Sequence, residues 1–194
     1  MGSLKESGKD FLYYSRFILP AAFVAILGTV SAVGWFTQPD RFVRGYAPVQ
    51  PIAFSHQLHP GVLRIPCTYC HTGVLKSRNA GIPAVEKCMN CHKMTKTDSP
   101  DIIKLTAVFN SDEPLRWERI HFLPDYVFFD HRPHVHAGIL CQTCHGEVQN
   151  MTRVYQHMSM RMSNCLGCHR DPGYALPEKS EITKGPEHCY ACHR

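Results

Sequence analysis

The residues with the clearest chemical potential in this sequence are its cysteines, which are all paired at one spacing. All ten lie in Cys-x-x-Cys-His motifs. In chain order the first to fifth motifs are Cys67–Cys70–His71, Cys88–Cys91–His92, Cys141–Cys144–His145, Cys165–Cys168–His169 and Cys189–Cys192–His193. Two thiols at this spacing can form thioether bonds to the vinyl groups of a haem, while the adjacent histidine ligates the iron. The pattern therefore predicts five covalently bound c-type haems (haem c, iron), with the five motif histidines as proximal ligands.

Three other uses of paired cysteines fit the pattern less well. A zinc site would need Cys-x-x-Cys pairs without an obligatory histidine after each pair. A redox dithiol of the thioredoxin kind would occur once and near a βαβ pattern, which the sequence lacks. A disulfide scaffold would not explain the histidines. Because a histidine follows every pair, covalent haem is favoured over all three.

The composition leaves little material for a conventional core. The chain has 194 residues, of which 14 are Pro and 13 are Gly, and apolar-periodic runs are scarce after the N-terminal segment. Five apolar macrocycles would then fill most of the interior. We expect a mostly irregular fold with short α-helices that carry the motifs, long loops and very little sheet. We also expect folding to depend on covalent haem.

The formal net charge of +5 does not indicate nucleic-acid binding. Each haem adds two propionates, which would bring the net charge to about zero or below, since bound cofactors are often the largest local charges. No basic helix or nucleic-acid motif is present. We therefore expect no nucleic-acid partner.

An uncharged apolar stretch of 19 residues runs from Ile18 to Phe36 and is long enough to cross a bilayer as a helix. Basic residues flank both ends, so the positive-inside rule gives only a weak preference for orientation. Covalent haem is attached on the outer side of the bacterial inner membrane, which favours a periplasmic haem region. A signal peptide cleaved near residues 30–32 is the alternative, but the apolar run is longer than a usual signal-peptide core. We expect an uncleaved single-pass signal anchor in that membrane.

These features divide the chain into four predicted parts. Residues 1–16 form a cytoplasmic N-terminus, residues 17–36 the transmembrane helix, and residues 37–52 a connector. Residues 53–194 form one periplasmic pentahaem domain. Within it, we expect haems 1 and 2 at residues 53–95, a loop at 96–125 and haems 3 to 5 at 126–194.

A short pattern precedes both the first and the third motif. Phe-x-His-x-x-His occupies residues 54–59 and again residues 129–134. With the motif that follows, this pattern resembles the opening module of the triheme and tetraheme class III cytochromes. In those proteins the first of the two histidines ligates the haem that follows, and the second reaches another haem. The resemblance implies four distal iron ligands: His56, His59, His131 and His134.

Other distal ligands come from outside the two repeated patterns. His121 is predicted as a further distal ligand, whereas His136, His157 and His188 are less favoured. Met162 is predicted as the thioether ligand of one His–Met haem, with Met160 as the alternative, and such a ligand raises the potential of its haem. The competing interpretation is that these methionines only fill gaps against haem. We expect mostly bis-histidine haems.

A second resemblance covers most of residues 50–194, and residues 117–146 are its most specific part. They read Trp117-x-Arg119-Ile120-His121-x-Leu123-Pro124-Asp125, then the second Phe-x-His-x-x-His, then Cys141-Gln142-x-Cys144-His145-Gly146. Together with five motifs and one anchor, this is similar to the pentahaem cytochrome c subunit of alternative complex III. Ser163–Asn164 departs from the glycine and aromatic residue of that family.

This resemblance implies both a fold and a function. The fold would be a multihaem cytochrome c domain with class III-like modules, plus one N-terminal transmembrane helix. The chain would transfer electrons in a membrane-bound quinol-oxidising respiratory complex and would not be catalytic by itself. Its partners would be integral membrane and iron–sulfur subunits, the lipid bilayer, and a cytochrome c or other periplasmic electron carrier.

Two other functions are compatible with a membrane-anchored multihaem chain. A quinol dehydrogenase that feeds periplasmic reductases would need a quinol pocket and a weakly ligated haem at the membrane edge. A multihaem reductase of nitrogen or sulfur compounds would need an open iron position for its substrate. Against the dehydrogenase, which resembles the small tetrahaem membrane-anchored kind, this chain has one haem too many and a surplus of distal histidines. Binding of carbon monoxide or nitrite to the reduced protein would identify the reductase, which is excluded if all irons are six-coordinate.

Overall fold

The N-terminal apolar stretch forms a helix in the computed structural model, which describes residues 11, 13–38, 40–111 and 113–193. The chain separates into two units, Met1–Arg41 and Phe42–Arg194. In the first unit a π-helical segment, Tyr14–Ile18, continues into α1, Leu19–Phe36. By length and composition this helix can cross a membrane, and none of its residues is buried. The predicted cytoplasmic residues 1–10 lie outside the described residues.

In the second unit, short helical elements carry all five motifs. After α2, Asp40–Val43, they are α3, Cys67–Cys70; α4, Val85–His92; α7, Cys141–His145; α8, Met162–Arg170; and a 3₁₀ turn, Cys189–Ala191. Residues three apart on a helix lie on the same face. A helical turn at each motif therefore directs both thiols toward the same side, as attachment to one haem requires.

The Phe-x-His-x-x-His segments lead into two further short helices. A π-helical turn, Gln57–Val62, follows the first segment, and α6, His131–His136, begins within the second. Two 3₁₀ turns, Thr72–Leu75 and Val148–Asn150, follow the first and third motifs. The turn at 57–62 packs against 148–150, and α6 packs against 72–75. The turn after the first segment therefore lies beside the third motif, and α6 of the second segment lies beside the first motif. The two modules, each made of a histidine segment and the motif that follows it, thus interlock.

Gly61 permits the first of these contacts. A Cβ at this position would overlap the carbonyl oxygen of Gln149. The Gln57 amide also donates to the carbonyl of Met151 at 2.9 Å. Close backbone approach at this junction therefore depends on the missing side chain of Gly61.

The described part of the second unit is helical and irregular and contains no β-strand. A single antiparallel bridge joins Val127 to His193, and the amide of Phe128 donates to the carbonyl of Cys192 at 2.7 Å. These contacts hold the fifth motif beside the start of the second histidine segment. The prediction of short helices with very little sheet is confirmed.

One helix lies where the sequence predicted a loop between residues 96 and 125. It is α5, Pro100–Asn110, which begins with proline in its first turn, where the missing amide proton costs nothing. Ile102 and Leu105 are buried on one face of α5 and pack with Ile52 and Met89. This apolar face is too short to stand out from the surrounding loop residues in the sequence.

Aliphatic packing is otherwise sparse. Among the described residues only five hydrophobic side chains are buried, the four above and Met151. Many large apolar side chains of the second unit are exposed, including Val62, Ile82, Met94 and Leu140. Such exposure is the pattern expected where a large apolar cofactor completes the interior.

Candidate haem-binding sites

All ten motif thiols are free in the structure. None of them forms a disulfide bond. Over the described residues, no group of three or more His, Cys, Asp or Glu side chains converges as a metal-binding cluster. A structural zinc site needs four such ligands around one point. The disulfide and zinc interpretations of the motifs therefore find no support in the arrangement of the side chains.

Four of the five motif histidines direct Nδ1 at a backbone carbonyl oxygen. The pairs are His71 with Gly81 at 2.7 Å, His92 with Thr95 at 3.0 Å, His169 with Pro186 at 2.6 Å and His193 with Tyr126 at 3.3 Å. A carbonyl can only accept, so Nδ1 carries the proton and Nε2 keeps its lone pair. This is the tautomer and orientation of a metal-ligating imidazole.

The two Phe-x-His-x-x-His segments have the same geometry. Phe54 lies edge-on to His56, with ring centres 4.8 Å apart at 86°, and stacks on His59 at 4.3 Å. Phe129 lies edge-on to His131 at 4.8 Å and 87° and contacts His134 at 4.7 Å. Nδ1 of each second histidine faces the carbonyl oxygen four residues before it, at 2.8 Å. The sequence repeat is therefore also a structural repeat.

Three histidines of these segments face a motif histidine across a gap. The pairs are His59 with His92 at 6.3 Å, His134 with His169 at 6.0 Å and His131 with His145 at 6.4 Å between ring centres. The last two rings are nearly parallel, at 6°. Two metal–nitrogen bonds of about 2 Å each, plus about 1 Å from nitrogen to ring centre on both sides, sum to about 6 Å. The gaps fit one iron atom between the two imidazoles.

His56 is the remaining member of the first segment and has unusual surroundings. Its Nδ1 is the buried side-chain nitrogen without a hydrogen-bond partner among the described residues. Burial, and secondarily the neighbouring His71, lowers the pKa of His56 to about 4. A neutral, half-buried imidazole near the first motif histidine is suited to ligating a metal.

The third motif histidine differs from the other four. Nδ1 of His145 lies 3.1 Å from Nε2 of His121, and the two rings are 4.6 Å apart at 83°. Burial lowers the pKa of His145 to about 4, with smaller contributions from His121 and His131. Burial also lowers the pKa of His121. The structure therefore brings the predicted ligand His121 to the outer nitrogen of a motif histidine.

The fifth motif has no histidine opposite it in the described part of the chain. Tyr126 stacks on the ring of His193 at 5.8 Å. Met162, the predicted thioether ligand, begins α8 and is 63% exposed. The less favoured His136, His157 and His188 are also exposed.

Thiols of different motifs lie close enough to change each other's pKa. Burial is the largest cause of the raised pKa in four thiols, and a thiol of another motif raises each pKa further. The neighbouring thiol is Cys70 beside Cys88, Cys67 beside Cys141, Cys168 and Cys165 beside Cys144, and Cys192 beside Cys165. The first motif therefore lies near the second and the third, and the fourth motif lies near the third and the fifth.

Motif spacing did not indicate the residues that support the fourth motif histidine. Gly185 approaches His169 so closely that a Cβ would lie 2.7 Å from the ring carbon Cγ. The amide of Gly185 donates to the carbonyl of His169 at 2.7 Å, and the next carbonyl, of Pro186, accepts from Nδ1. A Gly-Pro pair in a loop gives no signal of this role.

An apolar cavity of about 340 Å³ lies beside the second motif. Its lining comes from α4, α5 and the segment between them and includes His92, Met89, Ile103 and Phe109. Part of an apolar cofactor attached at this motif fits such a cavity. The side chains present are therefore compatible with haem.

Comparison with known proteins agrees with this geometry. Residues 36–117 match the class III cytochrome c family, and residues 127–194 match the family described as cytochrome c7 and related cytochrome c. The chain is 26% identical, over 90% of both proteins, to the multihaem cytochrome c subunit of menaquinone reductase from Nitratidesulfovibrio vulgaris. Covalent c-type haem is the cofactor of these families. Together, the two family matches support multihaem cytochrome c modules of the class III and cytochrome c7-like kinds.

Proposed function

We propose that the chain carries five c-type haems, one at each motif, and relays electrons without transforming a substrate. The observation that carries this proposal is the set of facing imidazoles, above all the parallel rings of His131 and His145, 6.4 Å apart. An iron held between two imidazoles has no free coordination position. Each haem would supply one-electron oxidation and reduction, and the facing histidines would hold its iron and leave no position open for a substrate.

In this proposal four irons have bis-histidine ligation. The ligand pairs are His56 with His71, His59 with His92, His131 with His145 and His134 with His169. Met162 and Cys165 lie three residues apart on α8 and thus on one face. Because Cys165 neighbours Cys192 of the fifth motif, Met162 is proposed as the distal ligand opposite His193.

The proximity of the motifs supports a continuous relay. The order second, first, third, fourth, fifth gives every haem a neighbour, and the second and fifth are the two ends. Coupling between neighbouring ferric haems in electron paramagnetic resonance spectra tests this order. Replacing Cys67 and Cys70 with serine should alter the signals of the second and third haems and leave that of the fifth unchanged. An altered fifth signal with unaltered neighbours would contradict the order.

The relay is proposed to serve a membrane-bound quinone-linked oxidoreductase. The apolar helix α1 would anchor the chain in the bacterial inner membrane, with the haem domain in the periplasm. An alternative complex III would pass electrons from quinol through an iron–sulfur subunit to these haems, and then to a cytochrome c or other periplasmic acceptor. Likeness to a menaquinone reductase subunit favours a second candidate, in which electrons flow toward quinone.

Purification from detergent-solubilised membranes tests the proposed function. We expect integral membrane and iron–sulfur subunits to co-purify, and a denaturing mass that exceeds the polypeptide mass by five haems. Quinol oxidation or quinone reduction by the isolated complex then decides the direction. Rapid carbon monoxide binding to most of the reduced haems would contradict closed axial positions. A chain that purifies alone and oxidises quinol would instead support the membrane-anchored quinol dehydrogenase.

A further inference from the structure

The Nδ1 atom of His145 has a partner unlike that of any other motif histidine. His71, His92, His169 and His193 each direct this atom at a backbone carbonyl. His145 directs it at Nε2 of His121, 3.1 Å away. At the third motif, therefore, a side chain contacts the Nδ1 atom that a backbone carbonyl contacts at the other four motifs. Unlike a carbonyl, this side chain can be substituted.

The direction of this hydrogen bond follows from iron ligation. A histidine that binds iron through Nε2 keeps its proton on Nδ1, so His145 donates and Nε2 of His121 accepts. The lone pair of His121 that would bind iron is then engaged. The space opposite His145 belongs to His131, whose ring is parallel to it at 6.4 Å. His121 is therefore badly placed to be a distal ligand.

The backbone around His121 is held firmly enough to position its ring. The carbonyl of His121 accepts from Nε of Arg119 at 3.0 Å. The next amide, of Phe122, donates to Oε1 of Gln156 at 2.9 Å, and Gln156 is only 1% exposed. The ring of Phe122 also packs edge-on against Tyr46, with ring centres 6.0 Å apart.

We propose that His121 is a positioning residue of the third haem, which fixes the imidazole of His145 by accepting its Nδ1 proton and is not itself an iron ligand. This inference rests on the proposed haem at the third motif. Acceptors in this position orient the ligand and increase its basicity, which stabilises ferric iron. Loss of the acceptor should therefore raise the midpoint potential of the third haem and leave its coordination number unchanged.

Two substitutions of the full-length, haem-loaded protein test this role. His121→Phe removes the acceptor and keeps an aromatic ring, whereas His121→Gln places a carbonyl oxygen near the position of Nε2. In the phenylalanine variant we expect every iron to stay low-spin, no new carbon monoxide binding, and one component of the redox titration to shift to higher potential. The glutamine variant should restore that component toward the wild-type value.

Matched controls separate the possible roles. His136→Phe changes an exposed histidine whose Nδ1 already faces the carbonyl of Arg132, and should shift nothing. His131→Phe removes the proposed distal ligand and should create one high-spin iron that binds carbon monoxide. If His121→Phe fails to retain its haems, His121→Ala removes the acceptor without added bulk and tests the same expectation.

Two outcomes would overturn the inference. A new high-spin iron in the His121 variants, as in His131→Phe, would make His121 an iron ligand. An unchanged redox titration would show that His121 does not influence the third haem. Failure of the proposed function is distinguishable, because the wild-type protein would then lack haem at Cys141 and Cys144 in a peptide mass measurement.

Discussion

At the scale of single residues, the ligand sets depend on where each imidazole nitrogen is directed. Backbone carbonyls hold Nδ1 of most motif histidines, which leaves Nε2 for the metal. The proposed distal ligands His59 and His134 have the same arrangement, because Nδ1 of each ring is hydrogen-bonded to a carbonyl oxygen four residues earlier. Orientation of the ligands is therefore prepared by the polypeptide itself.

Replacing one distal imidazole with a thioether should change a single potential. His134→Met keeps a ligand opposite His169, and a His–Met haem has a higher potential than a bis-histidine haem. We expect one component of the redox titration to move upward, by a sizeable part of the roughly 0.8 V range that axial ligands span. His136→Met on the same helix is the control and should leave every component in place. Equal titrations for the two variants would contradict His134 as a ligand.

Gln156 is expected to be the most sensitive polar residue of the second unit. Its side chain accepts from the amide of Phe122 and donates to the carbonyl of Met158, and it is almost completely buried. Gln156→Leu leaves a buried amide unpaired, so unfolding free energy should fall by about 1–3 kcal/mol. Denaturant unfolding followed by haem absorbance measures this. The exposed Gln57→Leu should have almost no effect, and equal losses for both would refute the expectation.

At the scale of elements, short helical turns do two tasks. They place the two thiols of a motif on one face, and they bring the histidine segment of one module against the motif of the other. The turns at 57–62 and 148–150 make one such contact, and α6 with 72–75 makes the other. Interlocking of this kind connects the first and third motifs, which are distant in sequence.

Gly61→Ala should weaken this interlocking. The added methyl group would overlap the Gln149 carbonyl, and the backbone has to move to relieve the overlap. Overpacking of this type costs about 1–3 kcal/mol. Thermal unfolding would measure the loss of stability, with Gly173→Ala as control, because that Cβ meets only a side-chain oxygen at 3.7 Å. An unchanged stability of Gly61→Ala would mean that the backbone at Gln149 does not lie as close to residue 61 as this contact requires.

At the scale of the whole molecule, haem is expected to take the place of a conventional hydrophobic core. Five buried hydrophobic residues among those described cannot offset the conformational entropy of ordering about 150 residues. Covalently attached haem would provide the missing apolar contacts. Stability of the second unit is therefore expected to be inseparable from haem loading.

Removal of all haem tests this expectation. Replacing the ten cysteines with serine should leave a chain with weak helical circular dichroism and no cooperative unfolding transition. Replacing only Cys189 and Cys192 should remove one haem and preserve most of the fold, because the fifth motif lies at the end of the series. A native-like, cooperative haem-free chain would disprove the dependence.

Much of this protein is determined by its sequence. The cofactor type and the duplicated histidine segment follow from residue types at short spacing, and the two cysteines predicted to attach one haem are only three residues apart. The apolar helix is equally local. These features can be predicted from the sequence because each depends on residues that are close together in the chain.

Tertiary structure alone decided which histidine meets which motif. His59 faces His92 and His134 faces His169 across long sequence separations, and the first motif neighbours the third as well as the second. The same is true of His121, which the sequence predicted as a distal iron ligand and whose Nε2 lies 3.1 Å from Nδ1 of His145. Such pairings depend on the course of the loops that join the motifs. Neither the periodicity nor the composition of a sequence predicts that course.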